Sequence, residues 1–97
     1  MMVIMEDIKK LTELRKEIDV IDRELLTLLN KRAKLALKAR LAKGGANIYR
    51  PEREEQVLAA VMRSNKGPLS DEAIKTLFQS IIYVCRSIQE VKIKKGS

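Results

Sequence analysis

Apolar residues recur along the first half of the chain at helical spacing. Leu11, Leu14, Ile18, Ile21, Leu25 and Leu28 step by alternating threes and fours, and Leu35, Ala39 and Ala42 continue the series. A seven-residue repeat kept over this length, with few helix breakers inside it, predicts one long amphipathic helix over 6–43. Gly44 and Gly45 then end it, and the GGAN stretch reads as a loop. One position breaks the pattern. Arg32 stands where the residue between Leu28 and Leu35 should be apolar.

Two shorter helical patterns follow. Pro51 opens the second, because a first helical residue needs no N–H partner, and Glu52, Glu54 and Glu55 place negative charge at the positive end of the helix dipole. Val57, Leu58, Val61 and Met62 form its apolar face, and Asn65-Lys66-Gly67-Pro68 stops it, giving a helix over 51–65. Ser70 is a good N-cap for the third, over 70–92, with Leu69 and Ile74 at the two positions of a hydrophobic staple. Ile74, Leu77, Phe78, Ile81, Ile82, Cys85 and Ile88 form the third apolar face, and the KIKKGS tail is expected to fray. No strand pattern stands out. The expected architecture is all-α, with three helices in a single domain over 1–97.

Composition narrows the chemistry. Aromatic residues make up 3% of the chain and there is no tryptophan, so the core must be aliphatic, which suits packed helices. The absence of histidine removes the usual general base and the commonest metal ligand. A single cysteine, Cys85, rules out an internal disulfide and a cysteine-cluster zinc site. No apolar run reaches the roughly 20 residues that span a bilayer, and no secretory signal opens the chain, so the cytoplasm is the expected compartment. The net charge of +7 suits anionic partners.

Helix length points to a second copy. About 38 residues at roughly 1.5 Å each make a rod near 57 Å, while a compact chain of this size has a radius of gyration of only about 13 Å. The apolar stripe of such a rod needs cover that its own chain is too small to supply. A homodimer with paired long helices is the expected solution.

Arg32 then needs an explanation, since a buried unpaired charge costs several kcal/mol. It can snorkel to water, pair with a carboxylate such as Asp22 or Glu54, or face a cavity that takes an anion. Other polar residues share inward-tilted positions: Lys43 on the first helix, Arg53 and Glu54 on the second, Gln89 on the third. Singly each reads as a surface residue. Together they describe a pocket for a small anion carrying a hydroxyl group. Arg15 lies seventeen residues before Arg32, about 25 Å along one straight helix. The two could share a ligand only if an antiparallel partner helix brought its own Arg15 across.

These residues sit in stretches that resemble the all-helical AroQ class of chorismate mutases. The matching stretches are LRKEIDVIDRELLTLLNKR, LAK ending at Lys43, IYRPEREEQVL, NKGPLSDEAIKTLF and the CRSIQ that contains Gln89, so the resemblance covers about residues 11 to 90. It implies an intertwined homodimer of three-helix chains with two equivalent sites, each borrowing an arginine from the partner. The implied reaction is the Claisen rearrangement of chorismate to prephenate, a step of the shikimate pathway toward phenylalanine and tyrosine, with no cofactor and no metal.

By position, the resemblance makes Arg32 and Arg15 of a partner subunit the clamps on the two substrate carboxylates. Lys43 and Gln89 become donors to the ether oxygen of the breaking C–O bond, Glu54 the acceptor for the ring hydroxyl, and Arg53 a residue lining the site. Two positions depart from the commoner pattern: Arg50 stands where many members have aspartate, and Cys85 where a serine often lies near a carboxylate. Arg50 concerns a contact made partly by backbone. Cys85 substitutes a weaker donor for a hydroxyl.

Two rivals accompany this reading. An isochorismate-pyruvate lyase on the same scaffold would use similar clamps, but the intact IYRPEREE segment and Gln89 favour the mutase. A basic helical dimer that binds nucleic acid would fit the net charge, but the chain carries no stacking platform and no recognisable motif for that role. Modules of this class are often fused to prephenate dehydratase, prephenate dehydrogenase or an aldol-type synthase, so the chain stands either alone or as one part of a longer protein.

Overall fold

The computed structural model describes residues 5–42 and 50–96, with side chains described as far as residue 88. Three α-helices account for nearly all of them: α1 over Met5–Ala42, α2 over Pro51–Ser64 and α3 over Asp71–Gly96. Among the described residues there is no strand. The chain divides into two compact units, residues 1–31 and 32–97, with α1 continuous through the boundary.

Among the described residues, the first unit consists of helix α1 as far as Lys31. Glu6 and Asp7 lie in its first turn, where they complement the dipole. Thr12 and Thr27 return their hydroxyls to the carbonyls four residues back, at 2.9 and 3.1 Å. Every described residue of this unit is exposed. Leu11, Leu14, Ile18, Ile21, Leu25 and Leu28, the residues of the heptad series, each leave between 49% and 60% of their surface open.

The second unit holds the end of α1 together with α2 and α3. Helices α2 and α3 pack against each other as a hairpin. Val57, Leu58, Val61 and Met62 are half-buried on α2, as are Ile74, Phe78, Ile81 and Ile82 on α3. Cys85 is buried, while Leu77 and Ile88 of the same expected face are exposed. On the α1 portion the covered positions are Arg32, Ala33, Ala36, Leu37 and Arg40, whereas Leu35, Ala39 and Ala42 stay exposed. The covered face is therefore offset from the heptad stripe.

The turn between α2 and α3 is built around Asn65. Its backbone N–H caps α2 by donating to the Met62 carbonyl at 3.3 Å, and its extended backbone ends the helix at Ser64. Its side-chain amide donates to the Leu69 carbonyl and to Asp71 Oδ1, both at 2.8 Å, and its Oδ1 accepts from the Gly67 N–H at 3.2 Å. Gly67 has φ +75°, a conformation that other residues rarely adopt. Ser70 then caps α3, its hydroxyl accepting from the Ala73 N–H at 3.1 Å. Helix α3 continues to Gly96, past the end expected at 92, because its last turns hold no residue that breaks a helix before that glycine.

Candidate active site

A cavity of about 370 Å³ opens within the second unit. Its polar wall consists of Arg32 from α1, Arg50, Arg53 and Glu54 at the start of α2, and Arg86 from α3. Leu35, Ala36 and Ala39 supply an apolar wall from α1, and Val57, Ile82 and Cys85 supply another from the hairpin. The size and the mixture suit a small ligand held by a few polar groups on an apolar bed.

Local structure explains why the charges converge. Pro51 starts α2 with Arg50 at the N-cap, and the Glu54 N–H donates to the Arg50 carbonyl at 3.1 Å. That first turn brings Arg50, Arg53 and Glu54 to the cavity edge. Arg32 reaches the same space because Ala36 and Ala39, one and two turns on, are too small to fill it. On α3, Ile82, Cys85 and Arg86 share a face at three- and four-residue spacing.

Four guanidinium groups thus stand against one carboxylate among the described lining residues. Glu54 is committed to Arg86: Nη1 donates to Oε2 at 2.6 Å, with 25% of the Arg86 side chain and 28% of the Glu54 side chain exposed. Among the described residues, Arg32, Arg50 and Arg53 have no carboxylate partner. Among the described residues Arg32 pairs with neither Asp22 nor Glu54, and it lines the cavity half-buried. Guanidinium groups not already held by a carboxylate bind planar carboxylates well, because each can offer two parallel N–H donors.

Of the residues singled out from sequence, Arg32, Arg50, Arg53, Glu54 and Cys85 meet at this cavity. Arg15 lies in the first unit and is exposed. Lys43 falls outside the described residues, and Gln89 is described only as backbone of α3, one turn past Cys85. Arg86 is not among the residues singled out, although it sits three residues before Gln89 and four after Ile82, which places it on the inner face. Among the described residues, no cluster of carboxylates and thiols is placed to hold a metal ion, and no helix is long and apolar enough to cross a membrane.

Residues 14–90 match the family model for chorismate mutase type II. The chain belongs to that family. Among relatives of this type II chorismate mutase domain, the bifunctional chorismate mutase/prephenate dehydratase of Aquifex aeolicus is 45% identical over 92 residues, covering 89% of this chain and 25% of that protein. The enzyme of the same description from Neisseria gonorrhoeae is 44% identical over 75 residues, covering 77% of this chain and 21% of that protein. The chain thus spans about a fifth to a quarter of the length of these curated relatives.

Solved structures of the family share the fold. The chorismate mutase of Helicobacter pylori in complex with prephenate superposes with a TM-score of 0.83 at 35% identity, covering 89% of this chain and 96% of that one. Form II of the chorismate mutase from Thermus thermophilus gives a TM-score of 0.78 at 38% identity, covering 84% and 94%. The all-α, three-helix architecture read from the sequence is the architecture of the family.

Proposed function

We propose that the chain catalyses the Claisen rearrangement of chorismate to prephenate, in a site completed by a second copy of itself. The observation that carries this reading is the cavity with three arginines that have no carboxylate partner among the described residues, in a chain that belongs to the type II chorismate mutase family. The substrate is a dianion with a ring hydroxyl, and the cavity offers surplus cations and one acid. The H. pylori relative, described in complex with prephenate, supports the same ligand class.

The reaction is unimolecular, so it needs neither nucleophile nor base, and a chain without histidine can perform it. Arg32 and Arg15 of a partner subunit would grip the two carboxylates by paired hydrogen bonds, forcing the chair in which the reacting carbons meet. Arg53 and Arg50 would add positive potential at the cavity edge, and Cys85 would lie near a carboxylate as a weak donor. Glu54 would accept from the ring hydroxyl. As the C–O bond breaks, negative charge grows on the ether oxygen. Lys43 and Gln89 would stabilise it more in the transition state than in the ground state, which is what lowers the barrier.

Dimerisation answers the exposed stripe of α1. Its six heptad residues are each about half open, and covering the rest of a leucine or isoleucine is worth on the order of 1 kcal/mol. An antiparallel copy of the same helix would cover them and deliver its Arg15.

The test is incubation with chorismate and, separately, isochorismate. Prephenate from the first supports the reading. Salicylate plus pyruvate from the second, with no prephenate, would replace it by the lyase reading.

A further inference from the structure

We infer that Arg86 is a positioning residue for Glu54: by holding that carboxylate on the α3 side, it keeps Arg32, Arg50 and Arg53 free to bind an anion. The inference rests on the cavity being the dianion site proposed above, and it assigns a role that the residue pattern alone did not reveal.

An anion site that also contains an acid has an internal conflict. The acid is a permanent competitor for the cations, closer than any ligand. Arg50 is the N-cap of α2, its carbonyl accepting from the Glu54 N–H at 3.1 Å, and both residues line the cavity. Arg32 and Arg53 line the same cavity. Left to itself, Glu54 could close onto any of them and neutralise a clamp.

Arg86 resolves the conflict from the other helix. Its hydrogen bond to Glu54 is short, charge-assisted and partly shielded from water, whereas Arg50 and Arg53 are exposed, so that a pair between Glu54 and either of them would be screened by solvent. Arg86 is itself steadied by Tyr83, one turn earlier on α3, with its guanidinium 5.9 Å from the ring centroid. Glu54 keeps a second carboxylate oxygen and so can still accept from a ligand hydroxyl.

The consequence is a specific dependence between two substitutions. Removing Arg86 should weaken substrate binding because Glu54 then turns inward, so the damage should vanish when Glu54 cannot ionise. KM and kcat for conversion of chorismate to prephenate are measured for wild type, Arg86→Leu, Arg86→Lys, Glu54→Gln and the double variant Arg86→Leu/Glu54→Gln. Prephenate binding by calorimetry repeats the comparison without turnover, and circular dichroism checks each fold. Arg86→Leu should raise KM about tenfold or more, the size expected for a lost charged hydrogen bond. In the Glu54→Gln background the same change should alter KM by less than about twofold. Arg86→Lys keeps the charge and should recover most of the affinity. Should Arg86→Leu fail to fold, the cycle is closed with Arg86→Gln, which removes the charge, and Glu54→Gln.

An equal KM increase in both backgrounds would overturn the inference, since Arg86 would then be touching substrate or bracing the helices. An unchanged KM in Arg86→Leu would overturn it as well. A folded wild type that neither converts chorismate nor binds prephenate would instead sink the proposed function, and this inference with it.

Discussion

Arg86 and Glu54, thirty-two residues apart in sequence, meet at 2.6 Å where α3 and α2 both line the cavity. The pair couples the hairpin's packing to the site's charge, so its two effects are separable. Glu54→Arg or Arg86→Glu alone puts like charges face to face and should lower stability by about 1–2 kcal/mol, given the partial exposure of both groups. The swapped double variant should regain most of that stability in thermal unfolding. It should not regain activity, because the acid has moved to the other helix. Losses that simply add in the double variant would show that the contact contributes nothing to stability.

Arg32 yields the clearest separation of stability from function. It is half-buried and unpaired among the described residues, in a position where the heptad pattern calls for an apolar side chain. Arg32→Leu removes an uncompensated charge and adds apolar contact, so the unfolding midpoint should stay level or rise. Turnover of chorismate should fall about a hundredfold or more, the loss of two charged hydrogen bonds. A strong drop in the midpoint would identify Arg32 as a structural residue.

Arg40 offers an independent stability test away from the cavity. Its Nε and Nη1 are inaccessible to solvent and have no hydrogen-bond partner among the described residues. Buried donors left unpaired cost about 1–3 kcal/mol, so Arg40→Met, which keeps the stem and drops the donors, should stabilise the chain by about 1 kcal/mol or more. Thermal unfolding of the two proteins decides it; a lower midpoint for the variant would mean that Arg40 finds a partner in solution.

These residues also show where sequence reasoning stops. The helices were legible because their signals are local: a heptad series, Pro51 at a start, Ser70 at a cap, Gly67 in a turn. Arg32 was legible because it violates a pattern. Arg53 and Glu54 were legible from their inward-tilted positions in the first turn of α2, and Arg50 through the resemblance carried by one short segment. Arg86 and Arg40 violate nothing. Each is one more arginine on an amphipathic helix, and only the packing of one helix on another decides that its guanidinium lies inside. The face of α1 that is covered, Arg32, Ala33, Ala36, Leu37 and Arg40, shares only Arg32 with the heptad series, because the repeat records an apolar surface without saying which neighbour takes which part of it.

Lys43 is the residue on which the chemistry, as distinct from binding, should depend most. A cation beside the departing oxygen acts only as charge develops. Lys43→Ala should therefore lower kcat about a hundredfold to a thousandfold while leaving the unfolding midpoint nearly unchanged. Measured turnover equal to wild type would remove Lys43 from the mechanism.

The partner's contribution can be tested without a structure of the dimer. If each site combines Arg32 of one chain with Arg15 of the other, then Arg15→Ala and Arg32→Ala homodimers are both impaired at every site. In a heterodimer of the two, one site receives both defects and the other receives none. Random exchange makes about half the dimers heterodimeric, so the mixture should recover roughly a quarter of the wild-type rate. The reverse arrangement supplies the control. When the double variant Arg15→Ala/Arg32→Ala is mixed with wild type, every heterodimer site carries one defect, and the rate should fall to that of the wild-type homodimers left after exchange. Recovery in the first mixture and loss in the second require a site built from two chains. Heterodimers confirmed by mass spectrometry with no recovery would place Arg15 outside the site and leave the exposed stripe of α1 as a purely structural interface.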